Sequence, residues 1–491
     1  MRDPAATAER RMPAATRLPA RHDRALATAG LMIATALQAA DATIVNIALP
    51  QLDHDFGVGI EFGAWVLTSY LCATAVVAPL TGWLRRRCGA SGLFAGGVGG
   101  FVAASLLCAV APSAALIILF RILQGAAGGV IQPLSQAMLL DLYPTERHGR
   151  MLAVWGAGIM AGPILGPLIG GIITDLASWR WIFAVNLPLG VLAVWLARRH
   201  RTETETDRQA PLDLIGVVLL MIGVGALQLC LERGVGRSWL GSPELLSEAA
   251  MAVAAAALLG WRASAGGFSV FRPDVFRDIN FAVAAFFNFM LSALLFVAVV
   301  FLPLMAEGPL GYPATVAGSL IVPRAVLMTG IILGVGRLIG NIEYRILLAT
   351  GWILMAAGLA ILSTVQGEQS VASIIVGSTI QSIGAGMLYT PHSTLAFVTL
   401  PNDRRTDAAG LFSLLRQLGY ASGVALMTAV LRLRLAAHLP ATATQEAAVL
   451  AELSAYRDCF RVMAAACLAV LPGIFLFRPP PRPGRQLLAG R

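Results

Sequence analysis

Gln38-Ala-Ala-Asp41-Ala-Thr43-Ile-Val-Asn46-Ile-Ala-Leu-Pro50 closes an apolar stretch that begins at Ala25, and it holds a carboxylate deep inside that stretch. An apolar run of about 20 residues crosses the hydrocarbon of a bilayer as one helix. A carboxylate within such a run is costly unless it faces a water-filled cavity or a partner, so the position marks proton or ion handling. The alternative is a structural acid paired with an arginine, a role that apolar residues fill at lower cost. No later apolar span holds an acid as deep.

The rest of the chain has the same character. Of 491 residues, 57% are hydrophobic and 13% charged, and the mean hydropathy is +0.74. A water-soluble globule carries about 25% charged residues, so this is an integral membrane protein. Fourteen apolar segments recur between Ala25 and Phe477. They are continuous rather than alternating, which selects helices over a barrel, because backbone groups in lipid must pair within their own segment. The net charge of +9 comes entirely from arginine. Those residues are spread over short loops and concentrate on one side of the predicted topology, which argues against nucleic acid as a partner and places both termini in the cytoplasm. The six cysteines lack C-x-x-C spacing, and no metal site is expected.

The chain also resembles itself. Gly82-x-Leu84 matches Gly336-x-Leu338, Gly128 with Pro133-x-Ser135 matches Gly386 with Pro391-x-Ser393, and Gly158-x-x-x-Gly162 matches Gly419-x-x-x-Gly423, all in order. Such a duplication gives two six-helix bundles, 25–199 and 279–478, with two inserted transmembrane helices and their linkers in 200–278. The tails 1–24 and 479–491 are polar and cytoplasmic, and the first reads as disordered. Two pseudo-symmetric bundles suit a transporter that rocks about a midplane site.

Within the fourth span Arg121 needs a partner, and Asp41 is the candidate. A charge pair whose burial changes as a gate opens ties protonation to conformation; a permanent ion pair is the alternative. In the second half Thr379 corresponds to Arg121 and Leu295 to Asp41, so the titratable machinery is one-sided. Arg324 and Arg416 bind an anionic group or else snorkel or cap near helix ends. Gln38, Asn46, Tyr70, Gln124, Gln132, Tyr389 and His392 are candidates for lining the substrate cavity. His392 is a second titratable site or a packing residue. Gly158, Gly162, Gly166, Gly170 and Gly171, with Pro163 and Pro167 between them, form a small-residue stripe that reads as a hinge or sliding contact between the halves, or as tight packing. Gly82, Arg85, Arg86, Arg87 and Gly89 form a short inner loop, solvated or latched to an acid such as Asp141 or Glu146.

Several motifs together are familiar. Gln38-x-x-Asp41-x-Thr43-Ile-x-Asn46-x-Ala48-x-Pro50, Trp65-Val-Leu-Thr68-Ser69-Tyr70, Arg121-x-x-Gln-Gly125 and Gly162-Pro163-x-x-Gly-Pro167-x-x-Gly-Gly171 resemble the fourteen-helix drug:proton antiporter branch of the major facilitator superfamily. The likeness continues through Trp181-Ile-Phe-x-x-Asn186-x-Pro188 to Leu415-Arg416-Gln-x-Gly419, and is closest to multidrug pumps that work with a periplasmic adaptor and an outer-membrane channel. It implies that Asp41 and Arg121 are the proton-coupling pair and that Gly162 and Pro163 belong to the antiporter signature. One departure is clear: where the family loop pattern G-x-L-x-D-R has its acid, this chain has Arg86, which puts the usual inner-gate ion pair in doubt, although a Gly-Trp-Leu loop without the acid also resembles some members of the same branch.

The expectation is a proton-coupled exporter of lipophilic or amphipathic small molecules, multi-pass in the inner membrane, with the proton as coupling ion and no cofactor. A dedicated exporter of one metabolite, such as an antibiotic, siderophore or amino acid, is the alternative. An enzyme is not expected, since H-E-x-x-H, G-x-S-x-G and paired mid-span acids are all lacking.

Overall fold

The computed structural model describes residues 21–56, 60–198, 207, 213–234, 242–265, 273–313, 316, 320–339, 342–366, 370–438 and 444–478, and these are almost entirely helical. The first half comprises α1 (Arg21–Phe56), α2 (Ile60–Val77), α3 (Thr81–Cys88), α4 (Ala90–Ala109), α5 (Ala114–Gly128), α6 (Ile131–Leu142), α7 (His148–Leu176), α8 (Arg180–Ala184) and α9 (Asn186–Ala197). An inserted pair follows, α10 (Leu214–Gly234) and α11 (Pro243–Ser264). The second half comprises α12 (Ile279–Glu307), α13 (Ile321–Leu338), α14 (Tyr344–Leu362), α15 (Ser370–Val398), α16 (Arg405–His438) and α17 (Gln445–Ala469).

Among the described residues twelve helical segments are long and apolar enough to cross a membrane. Helices α7 and α13 stand where the fifth and tenth spans are expected, so each of the fourteen expected spans has a helix. Some spans are broken in the middle. The second bends through a 3-10 turn at Ala78–Leu80 that contains Pro79, the fourth bends after Gly128, and the sixth breaks at Val185. Asp278 and Thr444 cap α12 and α17 by accepting backbone N–H groups at 2.9 and 3.3 Å.

Two boundaries differ from the sequence reading. Helix α1 starts at Arg21, inside the stretch 1–24 expected to be unstructured, while residues 1–20 and 479–491 lie outside the described residues. Arg85, Arg86 and Arg87 do not form a loop. They are the last turn of α3, where cations meet the negative end of the helix dipole, and the whole connection to α4 is Gly89. That residue has φ 73°, a conformation that glycine adopts without strain.

The duplication is visible in the packing. In the first half α1 packs on α7, α2 on α5, and α4 on α5 and α9; in the second half α12 packs on α16, α13 on α15, and α14 on α15 and α17. The halves meet along two related seams, α7 against α13 and α2–α3 against α16. Helices α10 and α11 pack on each other, tied by Arg262–Asp213 at 2.9 Å and Arg233–Glu248 at 2.8 Å. Leu220 and Val224 of α10 join Ala75 of α2 and Leu414 of α16 in a small apolar cluster over one seam.

The glycine stripe of α7 packs within one half. A Cβ at Gly162 would stand 2.6 Å from the backbone of Ala39 and Ala40, one at Gly166 would stand 2.3 Å from Thr43 Oγ1, and one at Gly170 would stand 2.7 Å from Ile44. Small residues let α1 and α7 approach to backbone contact. Gly423 does the same for α16 against Ala293 of α12, as the repeat requires. Gly162, Gly166 and Gly170 thus make tight contacts with α1, inside one bundle. Gly158 faces Met32, Gly171 meets open space, and the side chains of Pro163 and Pro167 lie outside the described residues.

Candidate functional site

Asp41 sits on α1 at the level where α5 and α9 converge, and its carboxylate is fully buried. Oδ2 accepts Arg121 Nη1 at 2.6 Å. Oδ1 accepts Gln124 Nε2 and Asn186 Nδ2, both at 2.9 Å. Gln124 follows Arg121 by one helical turn and turns its own Oε1 toward Arg121 Nη1 at 2.8 Å. Asn186 is the first residue of α9; its amide also donates to Ser105 Oγ at 2.8 Å, which donates to the Phe183 carbonyl. Arg121 Nε donates to the Val66 carbonyl, and the guanidinium lies 4.1 Å from the centroid of the Tyr70 ring.

An ionised carboxylate only accepts hydrogen bonds, and this one meets donors on both oxygens. Oδ1 takes two of these donors and Oδ2 one, so three of the carboxylate's roughly four acceptor sites are filled by described groups.

A second chain of polar groups begins at Tyr70. Gln38 Nε2 donates to the Tyr70 hydroxyl at 3.0 Å, Gln132 Nε2 donates to Gln38 Oε1, and Arg416 of α16 donates to Gln132 Oε1. The Arg121–Asp41 pair is therefore linked, through the Tyr70 ring and two glutamines, to an arginine of the other half. Arg416 also donates to Ser413 Oγ at 3.0 Å and lies over the Trp155 ring. Arg324 donates to Ser382 Oγ at 3.2 Å and to the Ala298 carbonyl at 3.4 Å. Both arginines are 3% exposed, so neither snorkels.

The arginine-bearing end of α3 is bound to its surroundings. Arg85 donates to Asp141 at 2.7 Å, as one reading of the sequence held, and also to Thr406 of the other half at 2.6 Å. Arg86 pairs with Asp407 at 2.8 Å. An ion pair between the halves is therefore present at this position, with the cation on α3 and the acid on α16. Arg87 stacks over Trp83.

The remaining candidates disperse. Tyr389 fits against Gly156 of α7, where a Cβ would meet its ring at 2.5 Å. His392 lies in an aromatic cluster with Phe287 and Trp352, at centroid distances of 5.3 and 6.0 Å, and neither ring nitrogen has a partner among the described residues. Asn46 belongs to α1, but its side chain lies outside the described residues. Asn186, Ser105, Thr406 and Asp407 were not singled out from the sequence as site residues; only Asn186 left a trace there, as one polar side chain in an apolar run just before Pro188. At the far end of the first half Asp55 lines a cleft of about 450 Å³ with Gln51, His54 and Trp179. The Trp179 N–H and the nearby His54 and Arg180 hold its carboxyl below the usual range.

Residues 31–431 match the family model of the Major Facilitator Superfamily. The multidrug export protein EmrB of Haemophilus influenzae is 35% identical over 411 residues, covering 82% of this chain and 79% of that protein. The fatty acid resistance protein FarB of Neisseria gonorrhoeae is 31% identical, covering 84% and 81%. Among solved structures, the human organic anion transporter MFSD10 superposes with a TM-score of 0.64 at 14% identity, over 93% of this chain and 99% of that one. On these grounds the chain belongs to the major facilitator superfamily, in its drug:proton antiporter branch.

Proposed function

We propose that the protein exports lipophilic or amphipathic small molecules across the inner membrane in exchange for protons, by alternating access between its two bundles. The observation that carries this reading is the fully buried carboxylate of Asp41, held by three donors, two of them on α5 and one on α9. Neutralising Asp41 weakens its contacts with Arg121, Gln124 and Asn186, so protonation and the packing of α1 against α5 and α9 change together. The proton is the coupling ion and no cofactor takes part. One proton moving through 100 mV supplies about 2.3 kcal/mol, enough for roughly fiftyfold accumulation.

In this reading the chain crosses the membrane fourteen times with both termini in the cytoplasm. Arg85 and Arg86 then tie the halves together on the cytoplasmic side. The resemblance to adaptor-dependent pumps extends the proposal to a periplasmic adaptor and an outer-membrane channel that receive the substrate.

Everted membrane vesicles test it. Compounds selected from a toxicity panel on an efflux-deficient strain should accumulate in the vesicles when a pH gradient is imposed, and an uncoupler should abolish the accumulation. Accumulation that survives the uncoupler would rule out proton exchange. The likeness to a fatty acid resistance protein supports the narrower alternative of one dedicated substrate, and the same panel separates the two by whether one compound or many are moved.

A further inference from the structure

Buried charge is balanced in the first half and unbalanced in the second. Arg121 is neutralised by Asp41, and Asp407 by Arg86. Among the described residues neither Arg416 nor Arg324 has a carboxylate within ion-pair distance, though both are buried. A buried cation held only by neutral oxygens is under-compensated, and it gains most from an anion.

We propose that Arg416 is the recognition point for the negatively charged group of the substrate, and that the exporter's preferred cargo is an amphipathic anion such as an aromatic or long-chain carboxylate. This rests on the export reading above. The surroundings of Arg416 suit such a molecule: Trp155 lies under the guanidinium at 5.6 Å, and the Tyr389 and Tyr420 hydroxyls stand near it. The Tyr389 hydroxyl is buried without an aligned hydrogen bond to any described group, so it is a donor still to be used. Tyr420 in turn stacks on Phe296 at 4.8 Å, which extends the aromatic lining.

The group that an incoming carboxylate displaces is Gln132 Oε1, a neutral acceptor on the same guanidinium. Displacement has a consequence for coupling. Gln132 is bonded to Gln38, Gln38 to Tyr70, and the Tyr70 ring lies against Arg121, so occupation of Arg416 releases the strand of contacts that steadies the proton site. Exporting an anion while importing a proton also moves two charges in the same electrical sense, so such transport gains from the membrane potential twice over.

The test is equilibrium dialysis of the full-length protein in detergent micelles against naphthalene-2-carboxylate, its carboxamide and 2-naphthylmethylammonium, with empty micelles as the blank. The wild type should hold the carboxylate about tenfold tighter than either relative, the discrimination expected of one charge-assisted contact. Arg416→Gln should remove that preference while binding the carboxamide within about twofold of wild type, and Arg416→Lys should keep part of it. Gln132→Leu, which deletes the competing oxygen, should tighten carboxylate binding. Equal binding of all three compounds by the wild type, no carboxylate binding at all, or a parallel loss of carboxylate and carboxamide in Arg416→Gln would each overturn the proposal. Because binding is read without transport, a failure of proton coupling in vesicles would remove the antiport reading and leave this result standing.

Discussion

Asp407 of α16 accepts the Arg86 guanidinium at 2.8 Å across the line between the halves, and its carboxylate occupies the space where a Cβ on Gly82 would stand. Charge and shape are thus used together at one point. Reversing either partner alone, in Arg86→Glu or Asp407→Arg, leaves like charges in contact and should lower efflux at least about fivefold; the double exchange should recover most of it, as expected for residues that interact directly. A double variant no better than the singles would show that the pair does not act as a latch.

Gly82→Ala probes the shape alone. A methyl group there overlaps Asp407 Oδ1, so the seam must part, at a cost typical of overpacking, about 1–3 kcal/mol. The expected readout is loss of efflux with the protein still inserted, together with faster alkylation of the nearby exposed Cys88 as the latched end loosens.

Along α7, two glycines of the same stripe should behave oppositely. Gly162→Ala drives a methyl group into the backbone of Ala39 and Ala40, next to Asp41, and should lower the melting temperature in detergent and impair transport. Gly171→Ala meets nothing within 4 Å and should leave both unchanged. Equal effects at the two positions would argue for a shared hinge rather than local packing.

Asn186→Leu removes one of the three donors from a buried carboxylate, and the loss of such a partner costs about 1–3 kcal/mol. Thermal unfolding in detergent should register this. By contrast His392→Phe replaces a ring that already packs among aromatic groups and makes no hydrogen bond among the described residues, so efflux and its pH dependence should stay within about twofold of wild type. A changed pH profile in His392→Phe would reveal a second titrating site.

Apolar length was enough to read the helices, and the Asp41–Arg121 pair followed because a charge in lipid admits few partners. The latch was half legible. A latch from the arginine run to Asp141 or Glu146, on a neighbouring inner loop, was one of two readings, but Asp407 lies more than 300 positions from Arg86, and nothing local marks the two as neighbours. Asn186 meets Asp41 from 145 positions away, a tertiary contact that an apolar run conceals. The glycine stripe was ambiguous for a simple reason: small residues announce a close approach without naming the partner, and the partner proved to be α1.

The decisive observation concerns protons at Asp41. Purified protein in weakly buffered detergent solution should exchange protons with the medium when a transported compound is added, and Asp41→Asn should bind the same compound with no proton exchange and no pH-driven efflux in vesicles. If Asp41→Asn exchanges protons and exports as the wild type does, the coupling site lies elsewhere and Asp41 is a structural ion-pair partner of Arg121.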